Sequence, residues 1–152
     1  MLADTHIRSR SGVQDLRPAG PFGFGIQVGV PSDRSDLLVA AGDDSSSPDV
    51  LDRLSRGGNP AVVERVAGNP STTGATLARL AFTTTTPTGV LLAVAQNPHA
   101  PVEALLALAS VDSVDVAAAV AANPSTPSRL RALLASHPDR SVSAAAASRL
   151  VA

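Results

Sequence analysis

The sequence predicts an all-α solenoid, and three observations carry that expectation. A Val/Ala run closed by Asn-Pro recurs at nearly constant spacing, leucines recur at fixed distances after it, and only 2% of the 152 residues are aromatic. A fixed period of roughly 20 to 50 residues marks stacked supersecondary units. A chain with three Phe and no Trp or Tyr builds thin aliphatic layers more readily than one bulky centre.

The repeat is anchored on Asn69-Pro70, Asn97-Pro98 and Asn123-Pro124. Seven residues before each Asn stands Val62, Val90 or Val116; three before stands Val66, Val94 or Val120; two before stands Ala67, Ala95 or Ala121. An earlier copy has Ala40, Ala41 and Asp43 in the same slots, and a later one has Val142, Ala146, Ala147 and Arg149. The anchors are therefore 26, 28, 26 and 26 residues apart, with the two extra residues in Thr83–Thr86. Asn59-Pro60 lacks this context. After each anchor, leucines fall at plus eight in Leu51, Leu77 and Leu105, and at plus eleven in Leu54, Leu80, Leu108 and Leu134.

Local chemistry turns this pattern into elements. Proline disfavours helical geometry in the residue before it, so each Val/Ala helix ends at or before its Asn, whose amide can bond freed backbone groups. Ser47-Pro48 and Thr126-Pro127 read as N-cap and first helical residue of leucine helices, with Leu130, Leu133 and Leu134 as a buried stripe. Neither helix type is long enough to stand alone, so burial comes from stacking on the next repeat. Asn69, Asn97 and Asn123 are expected to form a ladder of side-chain to backbone bonds along the stack.

Residues 36 to 152, with a V-x-x-x-V-A-x-N-P-x-x-P-x-x-L-x-x-L-A type pattern best kept in 90 to 135, resemble the leucine-rich repeat variant family. The resemblance implies a right-handed superhelix of alternating α and 3₁₀ helices without β-sheet. Some members hold a cysteine-ligated iron–sulfur cluster, which a chain without cysteine cannot do. Asp43, Thr73-Gly74 and Arg149 depart from the pattern, the terminal two in the manner of polar capping repeats.

Two regions result: residues 1–34 as a flexible Gly/Pro-containing segment and 35–152 as the repeat domain. In the first, Gly23-x-Gly25 is no dinucleotide fingerprint, since Val28 stands where a third Gly is needed. The alternating Phe22, Phe24, Ile26 and Val28 could instead add a short strand or cover the first repeat's exposed apolar end. The opening MLADTHIRSR has no apolar signal region, and Val90–Ala95 is cut by Asn97-Pro98 before it could cross a bilayer, so a cytoplasmic setting is expected.

Chemistry is sparse. Without cysteine there is no disulfide, thiolate metal site or thiol nucleophile. His6, His99 and His137 have no partner at helical metal spacing, no G-x-S-x-G occurs, and Asp43-Asp44 and Asp112-x-x-Asp115 read as acids at helix starts. No cofactor is expected. A net charge of -1 gives no global attraction to nucleic acid. Arg129 and Arg131, with Arg140 and Arg149, form the one basic cluster that could meet phosphates, although no Tyr or Trp stands by for base stacking.

Between Arg79 and Arg129 the only charges are Glu103, Asp112 and Asp115. Leu91 and Leu92 occupy slots that hold Val63 and Glu64 in the preceding repeat, so either one leucine reaches the surface as an apolar docking patch or a rotated helix buries both. The expected function is a non-catalytic repeat module or scaffold that binds a protein partner through Leu91, Leu92, Arg129 and Arg131. Nucleic-acid backbone binding through the arginines, or a fragment of a longer repeat protein, is the alternative. Oligomeric state is not legible.

Overall fold

The computed structural model describes residues 33–150, so the expectations about residues 1–32, including His6, Phe22, Phe24, Ile26 and Val28, lie outside it. Nine α-helices and no strand occur among the described residues: α1 (Arg34–Gly42), α2 (Pro48–Ser55), α3 (Pro60–Gly68), α4 (Gly74–Phe82), α5 (Thr88–Gln96), α6 (Val102–Leu108), α7 (Val114–Ala122), α8 (Ser128–Leu134) and α9 (Arg140–Leu150). The odd-numbered Val/Ala helices stack on one another in sequence as one layer. The leucine helices form the second layer, where α4 packs on both α2 and α6.

The core lies between the layers. Val66, Val94 and Val120 are fully buried, as are Ala67, Ala95 and Ala121 two slots before the next helix boundary and Leu51, Leu77 and Leu105 from the opposing layer. Alanine at the closest approach lets successive odd helices come together, and each buried Leu or Val contributes about 1.5–3 kcal/mol. No helix among the described residues exceeds eleven residues. Stacking therefore stabilises what helix propensity alone would leave marginal.

The Asn-Pro signature closes each Val/Ala helix as expected: α3, α5 and α7 end at C-cap residues Asn69, Asn97 and Asn123 in extended geometry. Each Asn side chain then does three things. Its Nδ2 donates to two carbonyls of the previous repeat: Asn69 to Ala41 and Asp43 at 3.0 and 2.9 Å, Asn97 to Ala67 and Asn69 at 2.8 and 3.0 Å, Asn123 to Ala95 and Asn97 at 2.6 and 2.9 Å. Its Oδ1 accepts the N–H two residues on, from Ser71, His99 or Ser125 at 2.8, 2.9 and 2.8 Å. The three amides are 2–3% exposed and fully used. Asn59 plays the opposite part, opening α3 as an N-cap with Pro60 at the first helical position.

A second, outer ladder runs beside the first. Ser71 donates to the Asp44 carbonyl at 2.5 Å, His99 Nδ1 meets the Pro70 carbonyl at 2.7 Å, and Ser125 donates to the Pro98 carbonyl at 2.6 Å. His99 thus stands where other repeats use serine, holding its neighbour's turn. Pro70, Pro98 and Pro124 lie exposed at these turns.

Four expectations are corrected. The implied alternation of α and 3₁₀ helices is absent among the described residues: the leucine segments are α-helices like the Val/Ala ones, opened by i to i+4 bonds such as Leu77 N–H to Thr73 at 3.0 Å and Leu105 N–H to Pro101 at 3.1 Å. Tightening to i+3 bonds is confined to their last turns, as at Gly57 to Leu54 and Val111 to Leu108. Thr126 is not the N-cap of α8; Pro127 is, and the Thr126 hydroxyl turns back to the Val120 carbonyl at 2.5 Å. Leu133 is 70% exposed, because Leu130 and Leu134 at i, i+4 already fill the inward stripe of a seven-residue helix. Asp43 is a helix C-cap, not a start.

The 28-residue interval also has a physical form. Helix α4 runs two residues past Leu80 and ends at Thr83 in extended geometry, like the Asn-closed helices. Thr86 then donates to the Leu80 carbonyl at 3.0 Å, the bond that Thr72 makes to Val66 and Thr126 to Val120. The insertion thus copies the other type of turn.

Asn97→Ala strips donors from Ala67 and Asn69 and the acceptor from His99, all within the stack, and is expected to cost about 2–4 kcal/mol in urea melts. Asn59→Ala removes one N-cap bond and should cost about 1 kcal/mol. Equal costs would show that the ladder does not hold the repeats together.

Candidate partner-binding surface

The structure separates the four side chains expected to meet a partner. Leu91 is 9% exposed and belongs to the main core, and Leu92 packs half-buried against it. The second possibility weighed from the sequence therefore describes α5: the helix turns so that both leucines face inward. Leu91 is corrected from a docking residue to a core residue.

Arg131 is also turned inward. It occupies the plus-eight slot that holds the fully buried Leu51, Leu77 and Leu105 in the other repeats. From there its Nη2 donates to the Asn123 carbonyl at 3.0 Å, while its Nε is buried without a partner. The Asn69 and Asn97 carbonyls receive the next Asn of the ladder, but Arg149 replaces the Asn that would serve Asn123. Arg131 takes that place. Arg129, two residues earlier and so on the opposite side of α8, remains exposed.

Large apolar side chains that sequence reading missed are exposed singly at Val39, Phe82 and Val114, and together on α6 and α8. Leu106 is 49% and Leu133 70% exposed, and Val102 projects from the same face of α6 as Leu106. Together with Pro127, Leu130 and Arg129, Leu106 and Leu133 line an open groove of about 540 Å³. The sequence held the signal in its Leu105-Leu106 and Leu133-Leu134 doublets, since adjacent helical residues lie about 100° apart and one of each pair faces out.

A local charge network lies on α2 and α4. Asp52 on α2 accepts Arg56 Nη2 at 2.9 Å and, across to α4, Thr76 Oγ1 at 3.1 Å and Arg79 Nη2 at 3.3 Å. The Arg56 hydrogen bond, helped by Thr76 and Arg79, holds this carboxyl below its ordinary range against the opposing effect of desolvation. Asp43 and Asp139 are lowered likewise by the hydroxyl and N–H of Ser45 and Ser141. The His137 Nδ1 accepts the Asp139 N–H at 3.0 Å. Among the described residues no group of three or more His, Cys, Asp or Glu could hold a metal ion, and no helix is long and apolar enough to cross a membrane.

Leu91→Glu would place a carboxylate in the aliphatic core and should destabilise the chain by about 3 kcal/mol or more in urea melts; a near-neutral effect would return Leu91 to the surface. For Asp52 the folded pKa is depressed, so its contribution is present above the ordinary value of 3.8 and lost as pH falls through the lower folded value. The urea midpoint of the native chain should therefore drop more steeply below about pH 4 than that of Asp52→Asn. Parallel pH profiles would show that the α2–α4 network adds nothing.

No curated protein and no solved structure matches the chain. Residues 90–150, which span α5 to α9, match the family model described as the Leucine Rich Repeat Variant domain, the family that the Asn-Pro repeat resembles.

Proposed function

We propose that the chain is a non-catalytic helical-repeat module that binds another protein through the groove between α6 and α8. The observation that carries this reading is the pairing of Leu106 and Leu133, both exposed, across one apolar groove in a chain that buries its other large core leucines. Burying such a pair against apolar side chains of a partner supplies the driving force, and Arg129 at the rim supplies a charged contact that orients it. Phosphate-backbone binding by the C-terminal arginines loses support, because Arg131 is engaged with Asn123.

The test is capture from cell lysate by the full chain beside Leu106→Glu/Leu133→Glu. Both positions are exposed, so each variant should keep its urea midpoint within about 0.5 kcal/mol of the native stability. A protein held by the native chain and lost from the folded double variant is the expected result. Equal retention by both, or retention of nothing but nucleic acid, would refute the groove.

A further inference from the structure

We infer that a second cleft, between the α2–α3 and α4–α5 turns, is a binding site for a phosphate monoester. Two departures from the repeat meet there. The Thr83–Thr86 insertion forms one wall, and Gly57-Gly58 forms the other. Their counterparts after Leu108 and Leu134 are Val111-Asp112 and His137-Pro138, so the second repeat alone replaces side chains with open backbone here. A Cβ placed on Gly58 would meet nothing within 4 Å. The resulting space is about 510 Å³ and opens to solvent.

The charge of this cleft is positive. Arg56 and Arg79 line it and no acid does. Both guanidiniums are served by one carboxylate: Arg56 gives Nε and Nη2 to Asp52 at 3.1 and 2.9 Å, and Arg79 gives Nη2 to Asp52 at 3.3 Å and to the Ser55 hydroxyl. One positive charge is left uncompensated. The free donor edges, Nη1 of Arg56 and Nε and Nη1 of Arg79, come from two different helices, and Thr85 adds an exposed hydroxyl. A phosphate monoester, with three terminal oxygens and nearly two negative charges at pH 7, can accept from donors of both arginines at once, where a carboxylate has two oxygens and one charge.

One further feature fits. Val63 and Leu80 floor the cleft with apolar surface, which favours an ester carrying an apolar or aromatic group over free phosphate. This site is independent of the α6–α8 groove.

The test is a titration of the ¹⁵N-labelled full chain with phenyl phosphate, inorganic phosphate and benzoate at constant ionic strength. Saturable shifts centred on Gly57, Gly58 and Thr85 are expected for phenyl phosphate, with about tenfold weaker binding of benzoate and clearly weaker binding of inorganic phosphate. Arg56→Gln should weaken phenyl phosphate about fivefold or more, and Gly58→Asp, which sets a carboxylate into open space without touching the core, should abolish it. Linear shifts, shifts centred on Arg129 and Arg140, equal affinity for benzoate, or unchanged affinity in either variant would overturn the site. Equal affinity for inorganic phosphate would overturn the ester.

Discussion

Every repeat of this protein depends on how a Val/Ala helix ends inside the stack. The last carbonyls of an α-helix have no intrahelical partner, and here they face the next repeat rather than water. The following Asn supplies both donors of its amide to two of them, and its own carbonyl receives the next Asn in turn. Proline after the Asn forbids a further helical turn, so the amide is held where the carbonyls are. Registration of one repeat on the next and termination of each helix are thus one interaction.

The ladder also shows what its end residues must be. Asp43 stands in the Asn slot at the first described rung, and its carboxylate accepts the Ser45 N–H at 2.9 Å as an Asn Oδ1 would, with nothing to donate. It keeps the acceptor half of the role and drops the donor half. At the other end, the Asn123 carbonyl is met by Arg131 from within its own repeat. An arginine can do this because its long side chain runs through the slot of a buried leucine while the guanidinium reaches the backbone edge.

The fold was legible because its determinants are periodic and local. Asn-Pro spacing located the ends of α3, α5 and α7, Ser47-Pro48 located the start of α2, and the plus-eight and plus-eleven leucines located the core of the second layer. What was not legible depends on neighbours. Thr126 could cap forward or back, and only the freed Val120 carbonyl behind it decides. Leu91 and Leu92 fill slots that hold a buried and a polar residue one repeat earlier, yet α5 buries the first and half-buries the second because both adjoining layers are aliphatic. Arg131 was legible only through register, since it replaces a leucine at the plus-eight position, whereas its neighbours Arg129 and Arg140 give the same stretch the composition of a basic surface.

That replacement connects the end of the ladder to the shape of the surface. Leu77 and Leu105 lie on α4 and α6, which pack directly against each other. Helix α8 carries Arg131 in the corresponding slot, and its principal neighbour is α9 rather than α6. A guanidinium committed to the Asn123 backbone cannot close a leucine contact across the layer, so α6 and α8 stay apart and leave Leu106, Leu130 and Leu133 bordering a groove. The second cleft has the same logic in different residues: two glycines and two inserted threonines interrupt the period. In a solenoid whose regular positions are consumed by stacking, surface for other molecules arises where the repeat is broken.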